Sequence, residues 1–326
     1  VNDQLQNLAV VSLAQASNGD IYAGTGEGMY YQTSGSATGG ILGGGIFKST
    51  DGGSTFTQLS STTPTASNGG AEWAAVGKLA VDPNNPSTVY AATNKGLRMS
   101  TDGGASWSNP ISSTIEAKDM TISKSGKVWV KIGSSVLKSD GSSNFSEVTT
   151  AGNVSTNPTI LPRTSYRMRI AISPEDENYV YATSVNGNGN FDKAFQSKDG
   201  GATWRVIGEN STYLNPHGGQ GDYDHALAVS PKNKERIWVG GVTFFEWSEE
   251  NGWLQAATNG NASIFNNLYV HSDNHEISFD PKNPNKVYVG NDGGVFRSTD
   301  DGQTWQTFSR NYVSTQFYSI GVGLNG

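Results

Sequence analysis

Three side chains able to hold a ligand stand at alternate positions late in the sequence: His271, Asp273 and His275. On an extended strand the i, i+2, i+4 spacing turns all three to one face. Two imidazoles beside a carboxylate are a donor set that could take a transition metal, a glycan or another small ligand. Asp222, Asp224 and His225 hold the matching place about one repeat earlier, and Glu72 and Trp73 precede a third comparable strand. If those strands converge on one axis, the residues form a single polar cluster at one end of it. The alternative is that they pair with each other and with water, satisfying backbone groups where strands begin. No resident metal or cofactor is assigned, with Ca2+ kept open as a bound ion.

Such residues need elements to position them, and composition narrows what those elements are. The chain has 326 residues, 41 of them glycine, with 16% charged residues and a formal charge of −7. An average soluble domain has roughly 25% charged residues and ~7% glycine. Few charges and many glycines suit short strands joined by tight turns, because glycine enters φ > 0 turns without steric cost. An acidic balance without a basic cluster argues against a nucleic-acid partner. No apolar run approaches the roughly 20 residues needed to cross a bilayer. The absence of cysteine removes disulfide scaffolds, thiol catalysis and cysteine-ligated zinc. The first residue is Val1, which is compatible with removal of a signal peptide.

One short segment recurs. Ser49-Thr50-Asp51-Gly52-Gly53-Ser54-Thr55-Phe56 returns as Ser100 to Trp107, Ser197 to Trp204 and Ser298 to Trp305, with weaker copies at Ser139 to Phe145 and Ser248 to Trp253. Its aspartates are Asp51, Asp102, Asp199 and Asp300, joined by Asp140 in a decayed copy. A second signature precedes the boxes: Val81-Asp82-Pro83-Asn84-Asn85-Pro86 before Val89-Tyr90-Ala91, and Phe279-Asp280-Pro281-Lys282-Asn283-Pro284 before Val287-Tyr288-Val289. Proline fixes φ, and Asp or Asn caps such a turn with its side chain. Six units result, starting near residues 10, 77, 118, 166, 223 and 274. Each reads as four strands, and a repeat of about 40–50 residues with four strands is the period of a propeller blade. The sequence therefore predicts an all-β protein, a β-propeller of four-stranded blades.

A structural role accounts for the box aspartates. In a tight turn the carboxylate accepts hydrogen bonds from nearby amides, and the terminal Trp or Phe buries a large apolar area between blades. Trp107, Trp204 and Trp305 are thus expected in the core, and Trp129 and Trp238 between blades. Trp73, Trp247 and Trp253, with Phe244 and Phe245, are candidates for stacking on sugar rings, or for repacking of a divergent fifth unit. Polar loops at 30–45, 60–70, 185–192 and 208–221 suit hydrogen bonding to a ligand and equally suit solvated connections.

The recurring Ser-x-Asp-x-Gly-x-(Ser/Thr)-Trp segment resembles the Asp-box, or BNR, motif. With the Asp-Pro-x-Asn-Pro turn and the Val-Tyr-Val-Gly strand, the chain resembles the sortilin/xyloglucanase-like propellers, the group that includes glycoside hydrolase family 74. Gly219 to Val229 and His271 to His275 further resemble propellers of large exported Bacteroidetes proteins, many of them type IX secretion cargo. These resemblances imply a secreted or cell-surface binding and scaffold propeller with a glycan or protein ligand on one face, and secretion or attachment machinery as a further partner. They do not fit a sialidase, whose family needs an early arginine. Here no arginine precedes Arg98, while Arg163, Arg167 and Arg169 cluster in one blade.

The alternative implied by the family 74 resemblance is an inverting endo-β-glucanase or xyloglucanase. Such enzymes use two carboxylates with room for water between them. Tyr288 to Gly294 resembles the family's acid-bearing turn, one residue shorter, and makes Asp292 the candidate acid. Glu27 stands in a comparable place in the first unit and is its candidate partner. Family members place their cleft between two successive propellers, and this chain carries at most one. The six units end near Phe308, and 309–326 reads as the start of a seventh blade or as a strand that closes the ring on blade 1. On this reading residues 1–326 are a single propeller, and part of a longer chain.

Overall fold

The computed structural model describes residues 9–27, 41–65, 72–152, 159–257 and 267–309. Blade 1 consists of β1 (Val10–Gln15), β2 (Ile21–Thr25), β3 (Ile46–Ser49) and β4 (Thr57–Gln58), followed by a single 3-10 turn at Ser60–Thr62. Blade 2 is β5 (Val76–Asp82), β6 (Asn85–Thr93) and β7 (Gly96–Ser100). There a lone bridge between Met99 and Ser108 stands where the other blades have a fourth strand. Blade 3 is β8 (Ala117–Ile122), β9 (Val128–Ile132), β10 (Ser135–Ser139) and β11 (Phe145–Glu147). A short parallel pair, β12 (Thr149–Thr150) with β13 (Leu161–Pro162), leads into the next blade.

Blade 4 comprises β14 (Met168–Ile172), β15 (Val180–Val185), β16 (Phe191–Ser197) and β17 (Arg205–Glu209). Blade 5 comprises β18 (Ala226–Val229), β19 (Arg236–Gly240), β20 (Phe244–Ser248) and β21 (Gly252–Ala257). Blade 6 comprises β22 (Asn274–Asp280), β23 (Asn283–Asn291), β24 (Gly294–Ser298) and β25 (Gln306–Thr307). Sequential strands pair as antiparallel meanders within each blade. The architecture is a six-bladed, all-β propeller. The expected seventh-blade strand, Gln316 to Val322, lies outside the described residues.

The inner strands β1, β5, β8, β14, β18 and β22 pack side by side in that order. Second strands carry most of the core: every residue of β9 and β15 is buried. Burial on both faces of the sheet explains why they lack the strict apolar/polar alternation of a half-exposed strand. Box tryptophans cross from one blade to the next. Trp204 of blade 4 meets Trp129 of blade 3 at 6.3 Å, and Trp305 of blade 6 meets Trp238 of blade 5 at 6.0 Å. Gly201, in the box ahead of Trp204, is required there twice over. Its φ is 94°, and a Cβ would lie 2.3 Å from the Trp129 ring.

The box turns sit between third and fourth strands, at the end we call the lower face. In all four good copies one carboxylate oxygen accepts from the serine two residues back and from the backbone N–H four residues on, and the other accepts from that residue's hydroxyl. For Asp51 these distances are 2.8, 2.9 and 2.6 Å, and Asp102, Asp199 and Asp300 repeat the pattern. Thr55 and Ser49 hold the Asp51 carboxyl at about 2, and Ser106 and Ser100 do the same for Asp102. Asp82 and Asp280 each accept the N–H two residues on at 2.8 Å, as the Asp-Pro turns require.

Candidate functional site

Inner strands begin at the opposite, upper face, where the fourth-to-first and second-to-third connections also lie. Three side chains from two blades converge there. β23 and β24 close in a hairpin with Asn291 opposite Gly294, leaving Asp292 and Gly293 at its tip. Gly293 is needed because a Cβ would fall 2.5 Å from the His271 ring. The hairpin presents Asp292 to His275, the second residue of β22, whose Nε2 lies 2.8 Å from Oδ1. From the loop ahead of β18, the Tyr223 hydroxyl donates to both Asp292 oxygens at 3.1 Å. The Tyr223 and His275 rings meet edge to face at 4.8 Å. All three stay accessible: Tyr223 is 43% exposed, and the His275 and Asp292 side chains 35% and 39%. The result is a rigid aromatic rim with a held carboxylate at the junction of blades 5 and 6.

Below the rim the central channel is charged. Lys78 of β5 reaches across to Glu276 of β22 at 2.9 Å, and Arg169 of β14 pairs with buried Asp119 of β8 at 2.8 Å. Asp119 also accepts the Ile170 N–H at 2.9 Å. A cavity of about 440 Å³ opens among these groups, lined by Ser12, Leu13, Lys78, Arg169, His275 and Glu276. A second, of about 280 Å³, lies between β8, β14 and β18. Exposed Ile41, Leu42, Ile115 and Tyr166 stand on other upper-face connections.

The residues singled out in the sequence do not gather into one cluster. Asp273 precedes β22 and has a φ of 62°, which breaks the alternation that would have aligned His271, Asp273 and His275. His271 keeps to its own loop, with Nδ1 3.0 Å from the Ser272 carbonyl. His225 faces blade 4, with Nε2 2.7 Å from Thr183 Oγ1, and its ring lies 4.3 Å from that of His217. Burial, then His217 and the nearby arginines, holds His225 well below its usual range, and burial lowers His217 to about 3. Both are neutral packing groups at pH 7. The Asp222 carbonyl accepts from Arg167 at 2.8 Å, and Asp224 is buried toward blade 6. Among the described residues no three His, Asp or Glu side chains are placed to hold a metal.

Trp73 is 7% exposed and packs 5.0 Å from Trp107, so it offers no face to a sugar. Glu72 pairs with Arg98. Phe244, Phe245 and Trp247 are buried, and Trp253 donates to the Ile207 carbonyl at 2.7 Å, so the fifth unit repacks rather than presents its aromatics. Glu27 is half-buried, with its carboxylate 3.4 Å from the Ile41 N–H. Among the described residues no hydrogen bond links it to Asp292. Sequence reasoning did not single out Tyr223 or the channel charges. A signal was present in the latter: inner strands β5, β8, β14 and β22 all carry charge inside otherwise mostly uncharged segments, at Lys78, Asp119, Arg169 and Glu276 among others.

No protein-family model matches the chain. A curated relative, the xyloglucanase Xgh74A of Acetivibrio thermocellus, is 27% identical over 288 residues, or 81% of this chain. The chain spans only 28% of that relative's length. Among solved structures, the GH74 enzyme of Niastella koreensis superposes with a TM-score of 0.52 at 20% identity, covering 90% of this chain and 49% of that one. The extracellular domain of a candidate hybrid two-component system of B. thetaiotaomicron gives a TM-score of 0.60 at 14% identity, covering 94% and 34%. No helix among the described residues is long and apolar enough to cross a membrane. At these identities the structural likeness speaks for the fold, a propeller shared by glycoside hydrolases and an extracellular domain alike.

Proposed function

We propose that the chain is a non-catalytic binding propeller of a secreted or cell-surface bacterial protein, and that it captures a glycan or protein ligand on its upper face. One observation carries the reading: Tyr223, His275 and Asp292 are locked to each other yet remain exposed above a 440 Å³ cavity. Aromatic rings fixed in advance lose little freedom on binding and stack well on the apolar faces of sugars. The likeness to an extracellular domain of another bacterial protein agrees with this placement. A glycan array followed by calorimetry on the best sugar tests it. Tyr223→Ala is expected to weaken binding at least tenfold while leaving the unfolding midpoint within error. No bound sugar, or binding untouched by the change, would sink the glycan form of the reading.

The second reading is a family 74-like inverting endo-β-glucanase or xyloglucanase with Asp292 and Glu27 as its carboxylate pair. It is favoured by the 27% identity to a xyloglucanase and by the place of Asp292 in its hairpin. Tyr223 and His275 both hold Asp292, which suits a fixed recognition group better than an acid that must take up and release a proton. Incubation with xyloglucan decides between the two. Released reducing sugar that Asp292→Asn abolishes would establish the hydrolase, and none supports the binding module.

A further inference from the structure

Beneath the rim, the junction of blades 5 and 6 holds two carboxyl groups that ligand capture does not require. Asp224 is fully buried, and neither of its carboxylate oxygens finds a hydrogen-bond donor on another residue. Within hydrogen-bonding reach is the carboxyl of Asp273, from the loop ahead of β22. Asp273 Oδ1 is buried too and equally meets no donor. Asp273 is brought there by its left-handed backbone, a conformation that Asp adopts more readily than most residues. The positive charge facing Asp224 is Arg167, which donates to the carbonyls of Gly221, Asp222 and Tyr223 at 2.8 to 3.4 Å. Two bare carboxylates side by side with buried oxygens repel each other, and neither can donate. A single proton turns that repulsion into a hydrogen bond, as in other buried carboxyl pairs.

We propose that Asp224 and Asp273 share one proton and act as a latch joining the loops of blades 5 and 6, which parts when the proton is lost. Burial, and then the charge of Asp273, raise Asp224 to about 8, so the latch is closed at neutral pH and opens in mild alkali. Tyr223 adjoins Asp224 in the chain, and His275 follows Asp273 by two residues. Repulsion at the latch therefore pulls on both partners of Asp292, and the rim loosens as the proton leaves. The bearing on ligand capture rests on the rim reading above. The latch itself is tested without any ligand.

An unfolded aspartate loses its proton near ~3.9, whereas folded Asp224 keeps it to about 8. Between these values the folded state holds one extra proton, so stability falls as pH rises, about tenfold per pH unit in the unfolding constant, and levels off above. His217, His225 and Lys131 (lowered to about 7 by burial, then by Lys118) also titrate on unfolding in this range. The readout is therefore the ratio of wild-type to Asp224→Asn unfolding constants, from urea titrations between about pH 5 and 9. The amide keeps the shape and can donate to Asp273 at every pH. We expect the ratio to rise about tenfold per unit up to about pH 8 and then flatten, and Asp273→Asn to shrink that rise. A flat ratio, or a slope untouched by Asp273→Asn, overturns the latch. Hydrogen exchange of the wild type gives a second readout that needs no variant. Protection of 217–226 and 270–276 is expected to drop between neutral and mildly alkaline pH while the box turns keep theirs, and equal protection overturns the release. If millimolar Ca2+ restores stability at alkaline pH in the wild type but not in Asp224→Asn, the pair holds a cation instead, and the shared proton is wrong.

Discussion

The box aspartates of the lower face and the carboxylates of the rim and channel are satisfied in different ways. On the lower face each box aspartate finds its donors within four residues, so its carboxylate is satisfied inside its own turn, even where other atoms of that turn meet the next blade, as Asp301 meets Lys232 and Arg236. On the upper face and in the channel, each carboxylate also draws a partner from another blade: Tyr223 is 69 residues from Asp292, Arg169 is 50 from Asp119, and Lys78 is 198 from Glu276. The buried Asp224 carboxylate finds no donor from another residue. A carboxylate satisfied locally has nothing left with which to hold a ligand or respond to one. The groups held across blades exist only when the ring is assembled, and there a change in one loop reaches the next. The difference teaches that the box aspartates serve their own turns, whereas the rim and channel carboxylates couple one blade to another.

Three measurements would sharpen or break that contrast. The largest effect is expected from Trp204→Ala, which empties the space against Trp129 between blades 3 and 4. Urea unfolding is expected to show a loss of about 3–5 kcal/mol, with any rim ligand still bound by the molecules that remain folded. Asp119→Asn comes next. It leaves the mostly buried Arg169 guanidinium without its anion, and a loss of about 3 kcal/mol is expected. A change smaller than half of that would mean channel water supports Arg169, and that the cross-blade pairs matter less than the turns. The smallest is Asp51→Asn. Because Thr55 and Ser49 hold Asp51 at about 2 against an unfolded value of 3.8, its contribution is present above pH 3.8 and lost as the pH falls toward 2. In the wild type minus variant difference, an acid titration should show that loss between those values and nothing at pH 7 to 9, the opposite window from Asp224.

Much of the fold was legible because the signals that set it are local. Asp51 and its serine and threonine partners lie within a few residues, and Asp82 and Asp280 cap their own turns, so repetition of the pattern displayed the blades. The site was less legible because it depends on which residues from distant repeats meet. Alternation implied a common face for His271, Asp273 and His275, and one left-handed residue undid it. Equivalent places in successive units also met different fates. His225 is sealed against Thr183 and His217, whereas His275, one blade on, stays at the surface. Trp73 resembled a loop aromatic in sequence, but it is held against Trp107. Asp292 stood out only through resemblance to a hydrolase turn, and nothing near it in sequence announced Tyr223.

The Lys78–Glu276 pair has a consequence for the order in which the molecule comes into being. Each blade is a meander of neighbouring strands whose contacts close short loops, and such contacts form early and fast. Joining residues 198 positions apart adds a much larger loop-closure cost, and on the ribosome Glu276 emerges long after the first blades are complete. The blades can therefore take shape one after another as the chain lengthens, with this pair joined only after blade 6 has formed. Until blade 6 arrives, Lys78 faces the channel without this anion, so the pair forms only once the sixth blade has joined the second.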